Sequence, residues 1–427
     1  MHVAVLGAGV VGITSAYYLT EAGHSVTVID GASDVASGCS FANGSQLSYS
    51  YTDAMANPAF LAKLPRILMG RDTGIQFHAP ISADLMRWGG AFLKQCTTSK
   101  AIANTLATLS MAQRSRDLLT ELRNTLNADF SYRSTGKIVL LASKSDVSNA
   151  ERNCELKAQY KCESSVIDIE KACEIEPAIE KMTGNYSAAV YSPGDDVGDA
   201  QAFSQALASY LVANRDCRLC LSTQASGLIV DRKKVRGVAT TDGEIEADAI
   251  VVSLGAHSPA ILKPLGLRPR IIPARGYSIT VPRGAHSNSV SVTDLAGRFV
   301  ISQMGERMRI AGFADFTGFS TARDQKRIQQ LVDLTRRRAP FAADYANQIE
   351  QHWGGFRPLT PHGRPLVGAT PIEGLYLNTG HGSLGWTLAC ASAESLVNSM
   401  ASAEESGRNR LHQRQPNNLV AAERETA

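Results

Sequence analysis

The stretch that decides the fold is His2-Val-Ala-Val-Leu-Gly7-Ala-Gly9-Val-Val-Gly12, continued by Ile13 to Glu21 and then by Ser25-Val-Thr-Val-Ile-Asp30. Residues 2–6 are a short apolar run, 13–21 carry a helical pattern, and 25–30 are a second apolar run ending in an acid. The order is strand, glycine turn, helix, strand. A lone GxGxxG is a weak signal. Here it follows a strand, opens a helix and has an acid 18 residues past its last glycine, the setting of a dinucleotide site. Gly7 permits the tight turn, Gly9 lets the backbone approach a pyrophosphate, and Gly12 allows close helix-to-strand packing, with the helix N-terminal amides holding the phosphates. Asp30 is placed to accept hydrogen bonds from ribose hydroxyls. The alternative is a glycine-rich turn without a ligand.

The motif alone does not separate NAD from FAD. Glu246-Ala-Asp-Ala-Ile-Val-Val-Ser-Leu-Gly255 is another apolar strand running into a glycine, and Gly374-Leu-Tyr-Leu-Asn-Thr-Gly380-His381-Gly382-Ser383-Leu384-Gly385 is a third. A nicotinamide domain is normally complete within about 150 contiguous residues. Glycine-ended strands at both extremes of the sequence point instead to one discontinuous domain gripping an extended cofactor, FAD.

Composition narrows the class. The chain has 427 residues, 44% hydrophobic, enough for a large core or two domains. Its 43 Lys+Arg and 40 Asp+Glu leave a formal +3, too little for coating a polyanion, so nucleic acid is not expected as a partner. Eight cysteines without framework spacing suit reduced thiols in a cytoplasm. No apolar run reaches the roughly 18 to 20 uncharged residues of a spanning helix. The first basic residue is Lys63, so there is no basic n-region of a signal peptide.

Between the glycine-ended strands the patterning changes. Residues 86–130 read as helices, and 136–144 and 271–313 as strands. The expected architecture is α/β: a discontinuous Rossmann-like FAD-binding domain (1–85, 190–265 and 355–400) with an inserted β-rich α+β substrate domain (86–189 and 266–354). Residues 401–427 turn polar and read as a flexible tail. A helix over 321–338 carries Arg323, Lys326, Arg327 and Arg336 to Arg338; it is a solvated face or one that could touch an anionic membrane or acidic partner. Cys217-Arg-Leu-Cys220 lies in a strand, where positions i and i+3 face opposite sides, so it is not read as a metal or redox pair.

From Asp30 through Ser37-Gly-Cys-Ser40-Phe-Ala-Asn43-Gly-Ser-Gln46-Leu-Ser48 the sequence resembles the FAD-dependent D-amino acid oxidase superfamily, and within it the bacterial D-amino acid dehydrogenases of the small-subunit type. Pro273-Ala-Arg-Gly-Tyr277-Ser, Gly355-Phe-Arg357-Pro-Leu-Thr-Pro-His-Gly363 and Asn378-Thr-Gly-His-Gly-Ser-Leu-Gly-Trp-Thr387 carry the likeness on, so that it spans Met1 to about Met400. The loop from Gln46 to Asn57 departs from the family's usual wording. The resemblance implies a fold of the D-amino acid oxidase and glycine oxidase kind. It also implies oxidative deamination of a D-amino acid to a 2-oxo acid and ammonia, with electrons passing through FAD to a respiratory acceptor, a quinone or electron carrier. By the same resemblance the cofactor contacts include Ser40, Asn43, Gln46, Gly255, Gly380, Gly382, Ser383, Leu384 and Gly385. With no cysteine between 221 and 389, FAD is expected to be noncovalent. The location implied is cytoplasmic, with peripheral contact on the inner face of the membrane and oligomerisation both left open.

The residues themselves limit the chemistry. A substrate α-carboxylate is planar, and a guanidinium meets it with two parallel charge-assisted bonds. Taken alone, Arg357 is more often a surface or structural ion pair; the resemblance makes it the carboxylate clamp. With the Cα–H held near flavin N5, hydride transfer rests on positioning and needs a neutral amine, and no general base is nominated. Tyr277 orients the carboxylate or a water, or is a buried tyrosine bonded to backbone. The 380–385 turn opens a helix whose amides could meet charge on the reduced flavin. His381 and Ser48 are each either pocket groups or packing. His257, His362 and Trp386 read as packing residues. The rivals are a D-proline or D-hydroxyproline dehydrogenase, a glycine or sarcosine type of amine oxidase, and a non-catalytic flavin electron-transfer subunit.

Overall fold

The computed structural model describes residues 1–345 and 351–413. Two large sheets organise it. The first has six strands in the order Leu366–Ala369, Leu375–Thr379, Ala249–Val252, His2–Leu6, Ser25–Ile29, Cys217–Cys220. All neighbours are parallel except the edge pair Leu366–Ala369 and Leu375–Thr379. Parallel strands are covered on both faces, which is why 3–6 and 249–252 are unbroken apolar runs with every residue buried.

One face of this sheet is covered by helices Val10–Glu21, Ala200–Asn214 and Gly385–Gln413, through Ile13, Leu207 and Leu388. The other is covered by a three-stranded antiparallel sheet, 225–246, through Val235 and Val238. Helix Thr98–Leu126 lies on the same body: its Leu118, Leu119 and Leu122 share a core with Ile13 and Leu388. Thr97 caps that helix at Lys100 N, and Asn127 ends it in the left-handed region at φ +44°.

The second sheet has eight strands, in the order Gln351–Leu359, Ile272–Pro282, Arg307–Asp315, Phe299–Met304, Ser291–Asp294, Lys137–Leu141, Ala188–Ser192, Ser165–Ile167. Strands Ala188–Ser192 and Gln351–Leu359 straddle the expected boundaries at 189/190 and 354/355. Both belong to this sheet, because a strand's hydrogen-bonding partners decide its sheet. Along Ile272–Pro282 the two-residue period sorts the side chains. Tyr277, Ile279 and Val281 pack in the core that Ile328, Leu331 and Val332 of helix Asp324–Arg338 complete. Gly276 and Ser278 face the other way, where Ser278 Oγ donates to Ala42 O at 2.5 Å.

That helix leaves Arg323, Lys326, Arg336 and Arg337 exposed, but two of its arginines leave the solvated face. Arg327 turns inward, 2% exposed, and its Nε donates to Asp315 Oδ2 at 2.7 Å, while Arg338 Nε donates to the buried Asp294 at 2.5 Å. A buried carboxylate must be matched, and these two arginines match two of them. Of the expected tail, residues up to Gln413 continue the last helix, and 414–427 lie outside the described residues. Among the described residues no helix is long and apolar enough to cross a membrane, and no group of His, Cys, Asp or Glu could hold a metal ion.

Candidate active site

A cavity of about 1340 Å³ runs between the two sheets, from Gly7 and Asp30 at one end to Tyr51, Lys137 and Arg298 at the other. Small-molecule sites usually fall within about 300 to 1,000 Å³, so there is room for a dinucleotide and a small substrate together.

At the first end the glycine turn is built as its spacing requires. Gly7 sits at φ +105°, and a methyl group there would come within 2.7 Å of Ser253 O; at Gly12 it would lie 1.8 Å from Gly7 O. The first helix is thereby drawn directly onto its strand, and its N-terminus opens into the cavity. Ser40 Oγ accepts from Val10 N at 3.0 Å. Asp30 accepts from Ala8 N at 2.7 Å with one oxygen and from Ala32 N at 2.9 Å with the other. That fixes the carboxylate in the cavity wall with lone pairs left for ligand hydroxyls.

Past this end the wall is the loop 37–48. Asn43 Oδ1 accepts from Ser45 N at 2.9 Å and holds a residue at φ +56°. Gln46 Nε2 donates to Ser291 Oγ at 2.6 Å, and Ser48 N donates to Thr387 Oγ1 at 3.0 Å. Gly255 opens a short turn at φ +55°. On the opposite side Gly380 and Gly382 both have positive φ, and Gly382 N donates to Pro358 O at 3.0 Å, which ties the 380–385 turn to the strand carrying Arg357. Ser383, Leu384 and Gly385 lie in the cavity wall where the helix Gly385–Gln413 begins.

Arg357 lies in the cavity wall over Gly276, where a methyl group would stand 2.4 Å from the guanidinium carbon. Its Nη1 donates to Phe313 O at 2.7 Å, and among the described residues no carboxylate pairs with it. Burial pulls its pKa below the ordinary arginine value, with Cys39 and Asp315 opposing; an arginine keeps its proton in any case. The result is a charged planar fork with donors to spare.

Tyr277 and His381 both line the cavity, and for each the structure favours the packing alternative. The Tyr277 side chain is on the helix-covered face of its strand, and its hydroxyl donates to Asp315 Oδ2 at 3.1 Å. Burial and that carboxylate push its pKa up, so the hydroxyl keeps its proton. The His381 ring is 3% exposed, with Nε2 3.0 Å from Ser392 Oγ inside the last helix, and burial pushes its pKa down to about 3. It is a neutral packing group whose backbone supports the turn. His257 stacks on Phe319 at 4.5 Å, and Trp386 Nε1 donates to Gly198 O, both as packing residues.

The residue that the sequence did not single out is Lys137. It is 2% exposed, and its Nζ donates to Ser48 Oγ at 2.8 Å and to Gln46 Oε1 at 3.0 Å. Its signal was available: a lysine directly before the apolar run Ile138-Val-Leu-Leu141, in a strand buried throughout, is costly unless it is used.

The glycine cradle, the fixed acid at Asp30, the two helix N-termini in its wall and the length of the cavity fit a dinucleotide. The chain belongs to the DAO family of FAD dependent oxidoreductases, which it matches over residues 2–399. FAD is the cofactor. The chain is 37% identical over 410 residues to D-amino acid dehydrogenase 2 of Ralstonia nicotianae, covering 94% of this chain and 96% of that one. It is 38% identical over 395 residues to the D-amino acid dehydrogenase of Paramagnetospirillum magneticum, covering 92% and 93%. Among solved structures, glycine oxidase from Geobacillus kaustophilus matches with a TM-score of 0.73 at 20% identity over 94% of each chain. L-proline dehydrogenase from P. horikoshii matches with a TM-score of 0.72 at 18% identity, over 94% and 93%. The fold is therefore the expected one of the glycine oxidase kind.

Proposed function

We propose that this protein oxidises D-amino acids to 2-oxo acids and ammonia. The observation that carries the reading is the Arg357 guanidinium, with no carboxylate partner among the described residues, in the wall of a cofactor cavity, in a chain that aligns nearly end to end with D-amino acid dehydrogenases. Arg357 binds the substrate carboxylate with its free donors while Phe313 O holds its Nη1. A charge-assisted, two-point pair fixes the carboxylate end of the amino acid, and the cavity walls restrict the rest.

Gly7, Gly9, Gly12 and Asp30 hold the adenosine diphosphate part of FAD, with Ser40, Asn43, Gln46, Gly255 and the turn 380–385 along the remainder. When bound, the flavin supplies a two-electron acceptor for the Cα–H bond and passes the electrons to a respiratory acceptor. Catalysis by this chain is largely positioning, so neither Tyr277 nor His381 is assigned a proton-transfer role. The cofactor-binding unit is the body around the six-stranded sheet, and the substrate unit is that around the eight-stranded sheet.

The test is an anaerobic titration of the flavoprotein with a panel of D-, L- and N-substituted amino acids. Bleaching by D-amino acids is the expected result. Bleaching by L- and not D-amino acids overturns the reading, and bleaching by sarcosine, glycine or D-proline alone replaces it with an amine or imino acid oxidase or dehydrogenase.

A further inference from the structure

Strand Arg307–Asp315 is irregular at one place. Against strand Ile272–Pro282 it pairs Gly312 with Tyr277 and Asp315 with Arg275, so that Phe313 and Ala314 together oppose the single residue Gly276. That is a β-bulge. Up to it the side chains alternate as the pleat requires: Met308 and Ile310 lie in the core completed by helix Asp324–Arg338, and Ala311 lines the cavity. Continued without a break, the alternation would send the side chain of residue 313 into the cavity. The bulge reverses it. The Phe313 ring is buried in that core, with the Arg327 guanidinium 4.1 Å from its centroid.

The reversal is held in a costly backbone. Phe313 has φ +62°, in the left-handed region that a bulky side chain rarely adopts. Both amides of the bulge bond to neighbouring loops: Phe313 N donates to Arg298 O at 3.3 Å and Ala314 N to Gly74 O at 2.8 Å. Such conformations persist only where the surroundings over-determine them, and they gather at functional sites. Here the conformation delivers a carbonyl. Phe313 O accepts from Arg357 Nη1 at 2.7 Å. Arg357 belongs to the strand on the far side, where it pairs with Ala274, and its side chain crosses over Gly276 to reach that carbonyl. A guanidinium presents its N–H donors in one plane. The bond from Nη1 and the seat on Gly276 set that plane and leave the Nε and Nη2 donors for a carboxylate.

We propose that Phe313 is a positioning residue of the clamp: the left-handed turn of its backbone keeps its ring out of the cavity and its carbonyl on Arg357, and so fixes the direction from which the guanidinium meets a substrate carboxylate. The proposal rests on the reading of Arg357 given above.

The test compares Phe313→Gly and Phe313→Val holoenzymes, each alone and combined with Arg357→Lys. The readouts are KM and kcat for a D-amino acid and the Kd of a carboxylate without an amine, taken from the perturbation of flavin absorbance. Both single variants lose the ring. Valine fills more of the core and suits a strand, so stability alone ranks Phe313→Val above Phe313→Gly. Positioning ranks them the other way, because glycine takes a positive φ without strain and a β-branched residue does not. KM and Kd in Phe313→Val should exceed those in Phe313→Gly by about 10-fold or more, with kcat changing less. In the Arg357→Lys background that gap should close, since the bulge acts through the guanidinium. Should Phe313→Val fail to fold, Phe313→Ala takes its place, with the same order and a smaller gap. Equal KM and Kd in the two variants, or a gap undiminished in the Arg357→Lys background, overturns the proposal and leaves the clamp standing. An Arg357→Lys enzyme with wild-type kinetics overturns the clamp and this proposal with it.

Discussion

The Arg357 guanidinium rests on Gly276: the two residues are on neighbouring strands, and a methyl group at 276 would stand 2.4 Å from both the guanidinium carbon and one of its nitrogens. The glycine leaves the flat space in which the arginine lies. Its backbone is not in the left-handed region, so alanine there strains nothing but the arginine. Gly276→Ala should fold and bind FAD normally and yet displace the clamp, raising KM for D-amino acids at least ~10-fold, the effect of about 1.4 kcal/mol. Unchanged steady-state kinetics in this variant would show that the seat does not matter.

Replacing Arg357 by Lys keeps the charge but loses the fork. A loss of about 1.5 to 3 kcal/mol of charged hydrogen bonding corresponds to a fall of roughly 10- to 100-fold in kcat/KM. Flavin binding should survive, since the cofactor's adenosine end is held elsewhere. Kinetics with a D-amino acid, together with the flavin-to-protein ratio, check both halves.

Asp30→Ala removes the acceptor of Ala8 N and Ala32 N and the acceptor expected for the ribose. FAD affinity, measured by recovery of flavin fluorescence on dilution, should weaken by about 1 to 3 kcal/mol. Retention of full affinity would take Asp30 out of the site. The flavin itself should come away on acid precipitation. No cysteine stands between residues 221 and 389 to form a covalent link.

Tyr277→Phe separates the sequence reading from the structure. The hydroxyl serves the buried Asp315–Arg327 pair on the far side of the sheet, so activity should stay within about threefold while thermal stability falls by about 1 to 2 kcal/mol. A large loss of kcat with unchanged Tm would put the hydroxyl back in the site.

His381 gives a pH test with a definite sign. Its folded pKa of about 3 is below the ordinary value of 6.5. Between those two values the unfolded chain binds a proton that the native one does not, so stability falls as pH drops from about 6.5 toward 3. In a His381→Asn variant the slope of unfolding free energy against pH should be shallower by up to one proton in that window. Equilibrium urea unfolding at several pH values reads it directly.

The phosphate turn and Asp30 were legible in the sequence as a local pattern whose meaning depends on its near neighbours, whereas Arg357 stood out only through the family resemblance. Lys137 was not legible, because the groups that define it, Gln46, Ser48 and Asp195, are 58 or more residues away in sequence and meet it only across the cavity. Tyr277 was left open between two roles for a related reason. The two-residue period shows that Tyr277 and Ile279 share a face, but which face the helix Asp324–Arg338 covers is a tertiary fact. The same packing took Arg327 out of the basic stripe.

The six-stranded sheet has a consequence for how the protein is made. Its central strand, 2–6, is flanked on one side by 249–252, and that strand is flanked in turn by 375–379. A chain growing from the ribosome carries the glycine turn and its neighbour 25–29 early, but strand 249–252 on the other side comes only after more than half of it has been synthesised. The helix that covers this strand rests on the one that starts at Gly385. Pairing across such separations is slow, and until it is complete the glycine turn has no wall opposite it. The cofactor groove is complete only once strands 249–252 and 375–379 are in place, and FAD binding then favours that native pairing by mass action.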